Sequence, residues 1–215
     1  MRDLGELLAS GGARLGLKIG GVALAVVVLG LADWLWLRAE DARGAAALAA
    51  SADLVQQADG PQATPDARAR AIDALQTVLS QHARSSAAVQ AAYELGNIQY
   101  QAGDYGAARG AYQIALAKGA AGSLRTLAAS GVGYTWEAQK DYANAVTAYE
   151  AVARAVPAKQ FYFEDALLDL ARAQALAGKP VEALATYERV LKDVPDTRRA
   201  PDIRAKIAEL QGRGK

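Results

Sequence analysis

Residues that could do chemistry are few and scattered. His82 is the single histidine and there is no cysteine, so two-histidine metal motifs, thiolate nucleophiles and disulfides are excluded. His82 follows Val78-Leu79 near the expected end of a helix. An imidazolium there complements the carbonyl end of the helix dipole, so it reads as a surface or C-terminal-turn residue. Gly178-Lys179 runs into Pro180 and lacks the glycine five residues upstream that a phosphate-cradling loop needs. Gly119-Ala120-Ala121-Gly122-Ser123 reads as a connecting loop. No catalytic constellation, metal site or cofactor site is expected, and the chain reads as a non-enzyme. Asp33, inside an apolar run, is the one isolated carboxylate. Only four residues separate it from Leu37 at the end of that run, which places it near a hydrated boundary.

Charge narrows the partners further. The 215 residues carry a formal net charge of +1, too little for a polyanion-attracting field, so nucleic acid is not an expected partner. The apolar share of 52% is inflated by alanine, as expected where helices pack closely.

The elements that must position anything functional show themselves as repeats. The stretch from Leu95 to Leu116 reads as two short antiparallel helices turned at Gly103-Asp104, with small residues, Gly96 and Ala108, where the helices would touch. The second-helix signature Ala108, Tyr112, Ala115 returns as Ala145, Tyr149, Val152 and as Ala183, Tyr187, Val190, and appears upstream as Ala71, Leu75, Val78. The leading alanines, 71, 108, 145 and 183, are 37, 37 and 38 residues apart. Pro157 and Pro195 each follow a signature by five residues, where a helix should stop. A lone hairpin cannot bury its apolar face, so near-constant recurrence means a stacked solenoid.

These residues resemble the tetratricopeptide repeat. Leu95-Gly96, Gly103-Asp104-Tyr105, Ala108, Tyr112 and Ala115 match it in one repeat; Val132-Gly133, Trp136, Asp141-Tyr142, Ala145, Tyr149 and Pro157 match in the next. The third keeps Leu170, Gly178, Ala183, Tyr187 and Pro195, with Pro180 in place of the turn tyrosine. The resemblance implies an all-α, right-handed superhelix of helical hairpins whose first helices line a concave, peptide-binding face. Transferred residue by residue, that face would present Tyr93, Asn97, Tyr100 and Gln101, then Ser130, Tyr134 and Glu137, then Asp165, Leu168, Asp169 and Arg172. The core of this candidate groove is Tyr93, Asn97, Tyr100, Gln101, Tyr134, Glu137, Asp169 and Arg172, positions expected to be free of packing duties. Tyrosine rings supply contact area at low entropic cost and amides reach peptide groups. The set lacks the Lys/Arg cluster that clamps a C-terminal carboxylate. Phe161-Tyr162-Phe163 is a second candidate surface, since three consecutive aromatics cannot all face one core.

The remaining chain divides around this solenoid. Residues 1–18 form a short stub of mixed charge, and residues 19–37 an apolar run interrupted only by Asp33. Nineteen residues give a helix of about 28 Å, close to the thickness of a hydrocarbon core. Trp34 and Trp36 stand at one end, as interfacial tryptophans do. A cleaved leader with Ala45-Ala46-Ala47 as its small-residue site is the rival reading; the length of the run, with Trp34, Trp36 and Arg38 intervening, favours an uncleaved anchor. Arg2, Arg14 and Lys18 on one side against Arg38 and Arg43 on the other place the N-terminus in the cytoplasm and the repeats in the periplasm. Gly12, Gly16 and Gly20, at i, i+4 spacing, could let two helices approach closely. Residues 38–66 read as an Ala-rich linker helix and loop that begins a degenerate first repeat, 67–195 as the solenoid, and 196–215 as a turn, a capping helix from Asp202 to Gln211 and a tail.

A stub, one span ending in Trp-rich sequence, an Ala-rich helix and then repeats are together similar to the YfgM family. That resemblance implies a bacterial inner-membrane protein with a periplasmic repeat domain, ancillary to the Sec translocon and linked to periplasmic chaperones. The expected partners are proteins or peptides in the groove and the lipid bilayer along residues 19–37. The alternatives are an envelope-assembly or cell-division coordinator using the same groove, and a structural homo-oligomer whose groove stays empty.

Overall fold

The computed structural model describes the backbone of residues 4–213 and the side chains of residues 21–212. The described residues are helical with no strand. The helices are α1 (Leu4–Ala58), α2 (Pro65–Gln81), α3 (Ser86–Gln101), α4 (Tyr105–Ala117), α5 (Gly122–Ala138), α6 (Tyr142–Ala155), α7 (Phe163–Leu176), α8 (Pro180–Asp193) and α9 (Ala200–Arg213). Neighbours in sequence pack as neighbours in space, giving four successive hairpins closed by α9.

Local chemistry sets the boundaries. Thr64, Ser85, Asp104 and Asp141 each cap a helix, the side-chain oxygen accepting the backbone N–H three residues on. Pro65 and Pro180 occupy first-turn positions, where a missing N–H costs nothing. The turns inside the second, third and fourth hairpins each need one residue in the left-handed region. Gly103 (φ +81°) and Gly178 (φ +73°) supply it cheaply, whereas Lys140 takes it at φ 61° with a side chain attached. The last helix begins at Ala200 rather than Asp202, since Pro201 is tolerated in its first turn.

The repeat signature is what packs the solenoid. Ala71, Leu75, Val78, then Ala108, Tyr112, Ala115, then Ala145, Tyr149, Val152, then Ala183, Tyr187, Val190 are all buried. The glycines make room for rings, not for alanines. A Cβ at Gly96 would lie 2.5 Å from Tyr112 Cε1, and one at Gly133 would lie 2.3 Å from Tyr149 Cε1. Gly131 approaches the opposite edge of the Tyr112 ring, at 2.7 Å from Cε2, so that ring is held between glycines of two successive first helices. At the far end Ile203 is buried, with Ile207 and Leu210 packed on the core.

The first helix runs without a break across the boundary expected at residue 37 and starts well upstream of residue 19. Its 55 residues span about 80 Å at 1.5 Å each. Along residues 21–33 its apolar side chains are exposed, Val27 being 66% exposed. From Glu40 onward one face is covered: Glu40, Gly44, Ser51 and Ala58 are buried against α2, α3 and the turn between them. The glycine row at 12, 16 and 20 lies outside the residues whose side chains are described.

Candidate protein-binding groove

The first helices of the hairpins lie side by side, α1 against α3 and α3 against α5, with polar side chains joining α5 to α7. A cavity of about 470 Å³ lies between α1 and α3. Leu48, Val55 and Ile98 give it apolar walls, and Gln56, Glu94 and Asn97 give it polar groups. Burial is the larger cause that raises the Glu94 carboxyl above the usual range, and the nearby Asp59 carboxylate adds to it, while a contact from Asn97 opposes both. Asn97 is itself oriented by the Tyr112 hydroxyl, which donates to Oδ1 at 2.9 Å. The Tyr93 ring lies 5.9 Å from that of Tyr112, and the Tyr100 ring 5.3 Å from that of Tyr105.

Further along, the polar side chains satisfy one another across neighbouring helices. The Tyr134 hydroxyl on α5 donates to Asp169 Oδ2 on α7 at 2.6 Å. Arg172 reaches back to Glu137 in a two-pronged contact, Nε to Oε1 at 2.8 Å and Nη2 to Oε2 at 3.0 Å, while its Nη1 holds Asp169 Oδ1 at 2.8 Å. The Tyr149 hydroxyl of α6 completes the set, donating to Glu137 Oε2 at 3.0 Å. Asp169 is only 6% exposed, and burial raises its carboxyl above the usual range against the opposing pull of Tyr134 and Arg172. Burial, then the bond to Asp169, pushes the Tyr134 phenol up. The bond to Glu137 is the main cause that raises the Arg172 guanidinium still further, fixing it as a cation.

All eight core groove residues sit on first helices, but not as free side chains. Tyr134, Glu137, Asp169 and Arg172 form one network tying α5 to α7. This corrects the expectation that they carry no packing duty: helices two apart lie within side-chain reach, so their polar groups bond to each other. Gln101 is likewise committed, its amide donating to Asp59 Oδ1 at 2.6 Å and accepting the Gly60 N–H at 2.8 Å, which holds the turn after α1. Asn97, Tyr100 and Gln101 line the cavity, and Tyr93 stands beside it. In the aromatic run, Phe163 is buried and Tyr162 half-buried, leaving Phe161 85% exposed.

His82 does cap the end of α2, and it has a second role that its position in the sequence did not disclose. Its Nδ1 meets Glu40 Oε1 of α1 at 3.1 Å. Beside it Asp41 Oδ1 accepts the Ser86 N–H at 2.7 Å, and Gly44 lets Ser85 approach so closely that a Cβ would lie 2.3 Å from its hydroxyl oxygen. Glu40, Asp41, Gly44 and Ser85 belong to no repeat signature, so spacing could not find them; only the unbroken alanine-rich helix hinted at a packed face. Among the described residues no group of acidic and imidazole side chains has the arrangement of a metal site.

Comparisons with known proteins agree with this geometry. Family profiles described as Tetratricopeptide repeat match residues 68–123, 100–160 and 137–207. Among solved structures, the chain is similar to a Podosopora anserina putative kinesin light chain with nearly identical TPR-like repeats, at 17% identity over 80% of this chain and 87% of that one, with a TM-score of 0.59. It is also similar to the MamA protein, at 21% identity over 62% of this chain and 67% of that one, with a TM-score of 0.51. No curated protein matches.

Proposed function

We propose that this chain, a tetratricopeptide-repeat protein across residues 68–207, is a membrane-anchored scaffold that captures segments of other proteins in its concave face and performs no chemistry. The observation that carries this reading is the cavity between α1 and α3. It has apolar walls and a few convergent polar groups, the composition that recognition sites share. It also continues towards Tyr100, whose phenol feels the charges of Glu137 and Arg172 on the next two first helices, so an extended segment can be read along several repeats. The anchor is α1, one helix long and apolar enough to cross a bilayer.

Within this reading the chain is an inner-membrane protein with residues 1–18 cytoplasmic and the solenoid periplasmic. It serves there as an adaptor or chaperone-like factor beside the protein translocon. Support for the placement is the excess of Arg and Lys before the span and the architectural similarity to the YfgM family. The test is a photo-crosslinking residue at Gln56, on the cavity, compared with one at Gln113, exposed on α4. In intact membranes Gln56 should yield translocon subunits or exported chains and Gln113 should not. Recovery of envelope-assembly proteins would replace the translocon assignment, and self-pairs alone would overturn groove capture.

A further inference from the structure

The membrane-proximal edge of the first repeats is basic, although the whole chain is nearly neutral. Helices alternate in direction, so the turns that join one hairpin to the next all lie at the edge where the apolar part of α1 enters. The turns within hairpins lie at the opposite edge. The near edge of the first repeats carries Arg38, Arg43, Arg84, Lys118 and Arg125, all exposed. None of these five pairs with a carboxylate among the described residues; the two acids beside them are engaged, Glu40 by His82 and Asp41 by the Ser86 N–H. The far edge is mixed in charge, its turns carrying Asp59, Asp104 and Asp141 together with the exposed Lys140 and Lys179.

The depth of this basic edge follows from contacts to the span. Tryptophan at the end of a membrane helix sits at headgroup level. The Arg84 guanidinium, in the turn after α2, lies 5.1 Å from the Trp36 ring centroid, and that of Arg38 lies 4.3 Å from Trp34. Lys118, in the next inter-hairpin turn, donates from Nζ to the Ala83 carbonyl at 2.7 Å, so the second turn stays level with the first. The interlock of Glu40, Asp41 and Gly44 with His82, Ser86 and Ser85 makes this spacing a property of the fold rather than of a flexible tether.

We propose that this edge, through Arg38, Arg43, Arg84 and Lys118, rests on anionic phospholipid headgroups, so that the solenoid lies along the bilayer with the turns of the far edge facing away. The proposal rests on the membrane-spanning reading of residues 19–37. Each cation held at an anionic surface favours the docked state about fivefold, and salt weakens it.

The chain has no cysteine, so single labels can be placed on the full-length protein in lipid nanodiscs. Labels at Ala83→Cys (near edge), Ala102→Cys (far edge) and Val28→Cys (span) are compared in phosphatidylcholine alone and with phosphatidylglycerol added, using a water-soluble quencher. The expected result is that position 83 becomes at least about fivefold less accessible when the anionic lipid is present, while position 102 does not change. Arg43→Gln with Lys118→Gln should reduce that protection at unchanged melting temperature; if the pair melts early, Arg43→Gln alone, at an exposed side chain with no carboxylate partner among the described residues, serves instead. Equal accessibility at 83 in both lipids, or equal protection at 83 and 102, overturns the proposal. A lipid-buried label at 28 in that case leaves the anchor standing, whereas a water-exposed label at 28 removes the anchor and this inference together.

Discussion

The ring of Tyr112 sets the distance between three helices, because glycines on two of them leave room for nothing larger than its faces. Gly96→Ala should therefore cost about 1–3 kcal/mol by overpacking, while Gly110→Ala, where an added Cβ meets nothing within 4 Å, should gain up to about 1 kcal/mol from helix propensity. Urea melts of the two variants check the sign. Gly96 and Gly133 were legible from their place in the repeat, but their partner was not: spacing pointed to Ala108, and only geometry shows the ring. Gly131 had no signature at all, because it serves the preceding repeat's tyrosine. At Asp169 the folded carboxyl lies above its unfolded value, so the folded state binds the proton more tightly. Its ionisation then destabilises the fold as pH rises from the ordinary aspartate range through the raised value. Thermal melts should show wild type gaining on Asp169→Asn as pH is lowered through that window, and a constant difference would remove the assigned burial effect.

At the scale of elements, the first helix is both a structural member and long and apolar enough to cross a bilayer. Its outer part is exposed, yet residues from Glu40 to Ala58 cover α2 and α3. Deleting residues 1–37 should release a soluble, cooperatively folding domain. Deleting residues 1–58 strips the cover from Ala71, Leu75 and Ala91, and hydrogen exchange in α2 should then rise to near-unfolded rates while α7 and α8 stay protected, since repeats feel chiefly their neighbours. The hairpins themselves could be read from turns, helix-stopping prolines and alanine spacing. The continuity of α1 was harder to see, because an apolar run and an alanine-rich run look like separate segments. Nothing in composition says that one rigid helix joins them. His82 illustrates the same gap, since its partner Glu40 lies 42 residues away and no periodicity links them.

For the whole molecule, the repeats bring the first helices side by side, and in the function proposed above the anchor sets where the face they form stands. The candidate groove positions were read from the family pattern, which separates inward from packed positions. Their mutual bonding was hidden, since it depends on the reach between α5 and α7. In the proposed function recognition falls on the open cavity beside α1, while Tyr134, Glu137, Asp169 and Arg172 tie α5 to α7. The most direct measurement fills that cavity. Ala52, exposed on its α1 wall, becomes a plug as Ala52→Trp, and crosslinking from Gln56 is quantified in wild type and variant alongside the melting temperature. With folding unchanged, capture should fall about tenfold or more, the loss expected when an anchor side chain is shut out of its pocket. Undiminished capture by a folded Ala52→Trp protein would contradict the account and place recognition on another surface.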